Sequence, residues 1–130
     1  MNIPLDTCCW LWWLVSPDKL SDKALFLIRD STNKVYLSAA SPCEIAIKYA
    51  IGKLPLPEPP ETFIPERLAR DGIASLAIEH VHALRVASIP AHHRDPFDRL
   101  LVAQSQLERL PLLTADSVFG RYNIETIPTF

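Results

Sequence analysis

The sequence predicts an α/β fold in which a short parallel sheet is covered by helices on both faces. Three observations carry this expectation. Short apolar runs alternate along the chain with segments of helical period, which favours right-handed crossovers and parallel strands. Several of those runs end directly at a helix start. At 130 residues, nearly half of them apolar, the chain is long enough to bury a core and is read as one domain over residues 1–130.

Residues 2 to 6 read as the first strand, followed by a helix from about Thr7 to Val15. Its tryptophans Trp10, Trp12 and Trp13 cover more than one face, so the helix is expected to be buried on several sides. Ser16-Pro17 ends it, and a second helix is expected from about Lys19 to Arg29, with Leu20, Ala24, Leu27 and Ile28 at helical spacing. Ser31-Thr32-Asn33 is the turn into a second strand, Lys34 to Ser38.

Ser41-Pro42-Cys43-Glu44 has the form of a capped start: a serine cap, proline at the first helical position and glutamate three residues after the cap. This helix should run to about Ile51 and stop at Gly52. Leu54 to Pro60 carries four prolines in seven residues, too many for a helix or central strand, and reads as an extended surface connection. Further helices are expected at about Thr62 to Arg70, Glu79 to Ala87 and Pro96 to Arg109. Short strands are expected near Ile73 to Leu76, Leu112 to Thr114 and Glu125 to Ile127.

Four carboxylates, Asp6, Glu44, Asp98 and Asp116, fall where an apolar run gives way to a helical start. In a parallel sheet such positions lie along the carboxyl edge of the strands, where open α/β folds collect ligands. Each also has a local explanation. Asp6 could cap the helix at Thr7, Glu44 completes a capping box, Asp98 lies in the first turn of a helix capped by Asp95, and Asp116 begins a short helix. Their coincidence at one edge favours a shared site. Carboxylates that converge raise one another's pKa, and no lysine or arginine is interleaved to pair them one by one. A hard divalent cation with oxygen ligands is the matching partner. Asp95 is read first as a cap and only secondarily as an auxiliary member. Lys48, one turn after Glu44, is either its helical ion pair or, with Lys53 and Arg99, a phosphate-holding rim. Arg99 could equally buttress a neighbour or meet a partner chain.

Other chemistries are poorly supported. Cys8, Cys9 and Cys43 are odd in number and unpaired in spacing, which argues for a reducing compartment and buried thiols. His80 and His82 do not share a helix face, and His92-His93 lies in a loop without cysteines at zinc-ligand spacing. No histidine can be matched to a cysteine nucleophile, and three glycines make no phosphate loop. A formal charge of −2 argues against a tight, unselective nucleic-acid binder. The apolar stretch from Cys8 to Val15 is too short for a membrane span and lacks a basic flank, so the expectation is a cytoplasmic protein.

Leu5-Asp6-Thr7 with Trp10-Leu11-Trp12-Trp13, Ser38-Ala39-Ala40-Ser41 with Glu44-Ile45-Ala46-Ile47-Lys48, Gly52-Lys53-Leu54, Arg94-Asp95-Pro96-Phe97-Asp98-Arg99-Leu100-Leu101, and Pro111 to Asp116 before Phe119 occur in this order. Together they resemble the PIN-domain ribonucleases and, within them, the VapC-type toxins of bacterial toxin–antitoxin pairs, from end to end. The resemblance implies a PIN-like three-layer α/β/α architecture, magnesium- or manganese-dependent endonucleolytic cleavage of RNA, a homodimer and a small VapB-type antitoxin. It implies that Asp6, Glu44, Asp98 and Asp116 form the family's acidic quartet and that Thr114 is the accompanying hydroxyl residue. Cys8 stands where relatives usually carry histidine, and Cys43 where they usually carry tryptophan. Two other readings are a PIN-like interaction module without catalysis and a metal-dependent phosphomonoesterase or receiver-like domain. The latter needs paired acids at the first strand and a later lysine, neither of which is evident.

Overall fold

A computed structural model describes residues 1–129. The five strands are β1 (Asn2–Leu5), β2 (Lys34–Ser38), β3 (Ala74–Leu76), β4 (Leu112–Thr114) and β5 (Thr126–Pro128). The helices are α1 (Thr7–Val15), α2 (Asp22–Arg29), α3 (Ala40–Ala50), α4 (Pro60–Asp71), α5 (His80–Arg85) and α6 (Pro96–Glu108). The strands form one parallel sheet in the order β3-β2-β1-β4-β5, so the chain reverses its winding at β1. That reversal opens a crevice at the carboxyl ends of β1 and β4.

Pro4 brings no N–H to the centre of the sheet. Pairing of β1 with β4 is confined to Leu5↔Leu113 and is continued by the Asp6 N–H donating to the Leu113 carbonyl at 3.0 Å. On β4, Leu112 and Leu113 face opposite ways, as the two-residue strand period requires. Leu113 joins the larger core with Ile3, Leu5, Val35, Leu37 and Trp10. Leu112 joins a second core with Leu101, Val102, Ala103 and Phe119. Helices thus cover both faces, as the sequence predicts.

Boundaries differ in instructive places. Residues Pro17–Lys19 form a separate 3₁₀ turn, and α2 starts only after Ser21, whose Oγ accepts the Ala24 N–H at 3.1 Å. Helix α3 starts at Ala40, before the expected Ser41 cap, with no side-chain cap at Ala39. The Ser41 hydroxyl instead bonds Thr7 Oγ1 at 2.7 Å, tying α3 to α1, and Pro42 is tolerated because the first-turn amides have no helical acceptor. The capping-box reading of Glu44 is therefore wrong. Gly52, at φ 76°, ends α3 as expected, and the Lys53 N–H closes back on the Lys48 carbonyl at 2.8 Å. Helix α4 begins at Pro60, with proline at a position that needs no donor. Helix α5 ends at Arg85 and continues as a 3₁₀ turn over Val86–Ser88.

Helix α1 is less enclosed than expected: Thr7, Cys9 and Trp10 are buried, while Cys8 and Val15 face solvent. Of the three thiols expected to be buried, only Cys9 is; Cys43 is exposed like Cys8. Among the described residues no helix is long and apolar enough to cross a membrane.

Candidate active site

Asp6 leaves the end of β1 and holds the N-cap position of α1 without a side-chain cap hydrogen bond. Its carboxylate is buried, and Oδ2 accepts from Thr114 Oγ1, at the end of β4, at 2.8 Å. Burial is the largest influence and raises the Asp6 carboxyl above its ordinary value; Thr114 opposes this, and the negative charges of Asp116 and Glu44 add to it. Thr114 in turn accepts the Asp116 N–H at 3.0 Å. At 2 % exposure Thr114 is a buried strut between the Asp6 carboxylate and the Asp116 backbone.

Asp98 stands in the first turn of α6, and among the described residues its carboxylate has no hydrogen-bond donor. Burial, then the charges of Asp95 and Asp6 and a smaller push from Glu44, against a pull from His93, raise it to about 7. This is the most perturbed carboxylate of the chain's acidic edge. Asp95 is the cap the sequence predicts, accepting the Phe97 N–H at 2.8 Å, and it contributes to the site through its charge.

Glu44 is buried on α3, with Oε2 held by Lys48 Nζ at 2.8 Å. The expectation that no cation pairs the acids singly fails here. The Glu44 hydrogen bond, with the charges of Asp95 and Asp98, holds the Lys48 ammonium above its usual value. Lys53 is exposed beyond the end of α3. Arg99 does not join them. Its guanidinium donates to the carbonyls of Val86 (2.7 Å), Ile89 (3.0 Å), Pro90 (3.2 Å) and His93 (3.3 Å). With both terminal nitrogens donating to one loop, Arg99 is placed as a buttress.

Asp116 caps the 3₁₀ segment Ser117–Arg121, its Oδ1 accepting the Val118 N–H at 2.9 Å. Its Oδ2 lies 2.9 Å from His93 Nε2. Burial pushes the Asp116 carboxyl up, but the bonds from His93 and Val118 and the charge of His93 outweigh it and hold it below the ordinary range. Sequence reasoning missed His93 because it searched for ligand spacing within the histidine loop, whereas the partner lies 23 residues away.

The four carboxylates therefore share one neighbourhood, reached from β1, α3, α6 and the end of β4. An all-oxygen, acidic and partly desolvated donor set fits magnesium or manganese. Among the described residues, though, no three His, Cys, Asp or Glu side chains are grouped tightly enough to hold a metal ion as they stand. As they stand, Glu44 is engaged by Lys48, Asp116 by His93 and Asp6 by Thr114. Burial, with Asp6 adding, raises the Cys9 thiol to about 12, which removes it as a nucleophile. A hollow of about 750 Å³ is an apolar groove of α3 and α4 lined by Pro42, Ala46, Tyr49, Ile64 and Leu68, and none of the four carboxylates lines it.

Residues 3–125 match the family model described as PIN domain. Over 56 residues the chain is 46% identical to Ribonuclease VapC16 of Mycobacterium tuberculosis (strain ATCC 25618 / H37Rv), an alignment spanning 43% of this chain and 40% of that protein. Among solved structures, VapBC2 from Rickettsia felis bound to a DNA fragment from its promoter is similar with a TM-score of 0.73 at 15% identity, covering 98% of each chain. DNA-bound VapBC from Salmonella typhimurium gives 0.72 at 18% identity, over 100% of this chain and 99% of that one. FitAcB from Neisseria gonorrhoeae gives 0.63 at 19%, over 98% and 97%. At these identities the structures speak for the fold alone. With the family model covering nearly the whole chain and the sheet, crossovers and acidic edge in place, the chain belongs to the PIN domain family.

Proposed function

We propose that residues 1–130 act as one PIN-like domain, a magnesium- or manganese-dependent endoribonuclease that serves as the toxin of a toxin–antitoxin pair. The observation that carries this reading is the half-buried carboxylate of Asp98, which has no hydrogen-bond donor among the described residues and lies under the negative charges of Asp95, Asp6 and Glu44. Such a group needs a counter-charge, and its surroundings are all oxygen donors. The PIN family membership and a partial relative named as a ribonuclease support the choice of RNA.

Asp6, Glu44, Asp98 and Asp116 are the residues that would hold the cation, with Asp95 contributing negative charge at the rim. Bound there, the ion supplies a water of lowered pKa and neutralises charge developing on phosphate and leaving oxygen. Thr114 fixes Asp6 and the backbone of Asp116 relative to one another, keeping two ligands from separate strands in register. Exposed Lys48 and Lys53 are the side chains available for RNA phosphates, while Arg99 keeps the loop before α6 in place. No covalent nucleophile is required. A small VapB-type antitoxin, homodimerisation and a cytoplasmic setting complete the proposal; the antitoxin is suggested by fold neighbours that are themselves VapBC complexes.

The test is incubation of the purified chain, free of antitoxin, with total cellular RNA and Mg2+ or Mn2+, beside EDTA and Asp98→Asn controls. Discrete fragments that vanish in both controls are expected. Intact RNA under all conditions would sink the nuclease reading in favour of an interaction module, and release of product from a chromogenic phosphate monoester would favour a phosphomonoesterase.

A further inference from the structure

His93 is held on every side. Its Nε2 meets Asp116 Oδ2 at 2.9 Å, and its Nδ1 meets the Tyr122 hydroxyl at 2.9 Å. Its own backbone N–H donates to the same hydroxyl at 2.7 Å, and its carbonyl accepts from Arg99 at 3.3 Å. The ring stacks on Tyr122 with planes 11° apart and lies 4.4 Å from the Phe119 ring, with the side chain only 10% exposed. An ionised carboxylate only accepts, so Nε2 carries the proton of the bond to Asp116 whether the ring is neutral or charged.

The hydrogen-bonded circuit also has a direction. Arg99 follows Asp98 directly on α6, and its four carbonyl acceptors draw the loop from Val86 to His93 onto that helix. Tyr122 and Phe119 belong to the segment that Asp116 opens. His93 thus links the element carrying Asp98, through its carbonyl bond from Arg99, to the carboxylate of Asp116, through its Nε2. Partners of this kind behind a ligating group fix its orientation, and their loss usually costs 10–100-fold in metal affinity or activity.

We infer that His93 is a positioning residue of the acidic edge: its Nε2–H orients the Asp116 carboxylate towards the cation, and Tyr122 and Arg99 hold His93 in place to do so. The inference rests on the proposed metal-dependent reading and names the residue outside the acidic quartet on which cation affinity should depend. A purely architectural histidine would lower stability when removed and leave affinity alone.

Calorimetric titration of the full chain with Mn2+, beside thermal melts in EDTA, separates these. His93→Ala should weaken Mn2+ binding by about 10–100-fold. His93→Gln, whose amide places an N–H near the position of Nε2, should recover most of the affinity without recovering the ring stacking. Tyr122→Phe, which keeps the ring and removes the hydroxyl, should weaken binding by less than His93→Ala. If His93→Ala folds and binds Mn2+ like the wild type while Asp98→Asn does not, the inference about His93 is overturned and the metal site stands. If neither the wild type nor Asp98→Asn binds, both readings fall. Should His93→Ala fail to fold, wild-type affinity in Tyr122→Phe overturns the inference, and so does a loss that His93→Gln leaves unrepaired.

Discussion

His82 and His93 each present Nε2 to a carboxylate, at 2.8 Å to Glu108 and 2.9 Å to Asp116, in two regions with different physics. His82 is 1% exposed and closes a capping box: the Glu79 N–H donates to its Nδ1 at 2.9 Å, which leaves Nε2–H to donate to Glu108. That clasp pins α5 to α6, helped by Arg85 donating to Gln106 at 3.2 Å. Its acid, Glu108, is nearly half exposed and its charge is well solvated. At the other end of α6, burial first and then the charges of neighbouring carboxylates drive the carboxyls of Asp6 and Asp98 upward. A histidine–carboxylate pair is therefore architecture until like charges converge around it. Convergence is what creates a need for a cation.

The comparison breaks most visibly at the acidic edge. Replacing Asp98 by Asn removes the most perturbed carboxylate of the proposed cation site and should lower RNA cleavage by about a hundredfold or more, at or beyond the upper end of the range typical for partners behind metal ligands. The fold should survive, because a source of mutual repulsion has gone; circular dichroism and single-turnover cleavage check both halves. Loss of folding would mark Asp98 as structural.

At the clasp the expected signature is reversed. His82→Ala leaves a cavity, opens the capping box and strips Glu108 of its donor, so urea denaturation should show a loss of roughly 2–4 kcal/mol. Its Mn2+ affinity should match the wild type. An affinity loss like that expected for His93→Ala would erase the distinction between the two regions.

The pH dependence sharpens the same contrast. The Asp98 carboxyl is raised from 3.8 to about 7 by burial and by Asp95 and Asp6, so across this window the folded chain retains a proton that the unfolded chain has released. Metal-free stability contributed by this group should fall as pH rises from about 4 to about 7 and then level off. Asp98→Asn should flatten that slope, whereas His82→Ala should not; urea melts at several pH values without metal read it directly. The smallest effect is expected for Glu108→Gln, which keeps an acceptor for His82 and should cost no more than about 0.5–1.5 kcal/mol.

Much of this arrangement is legible in the residues, and the exceptions have physical causes. Alternating apolar runs and helical segments expose the parallel sheet, and four acids at helix starts expose the edge, because both depend on local pattern and on where crossovers must leave strands. Ser41-Pro42-Cys43-Glu44 misleads because the Thr7 hydroxyl captures Ser41 from 34 residues away and the helix begins earlier. Arg99 is illegible because its acceptors are backbone carbonyls, which no side-chain pattern marks. His93 is illegible because the path of the loop from Val86 decides which carboxylate it meets. Tertiary hydrogen bonds thus decide the neighbours of the four acids, while secondary-structure pattern marks where along the chain the four acids fall.

The most direct test of the central claim is anomalous diffraction from a crystal of the chain soaked in Mn2+. The expected result is a peak among the carboxylates of Asp6, Glu44, Asp98 and Asp116, with Glu44 drawn away from Lys48 and Asp116 still held by His93. A peak elsewhere, or none while the crystal retains its order, would contradict a metal centre at this edge.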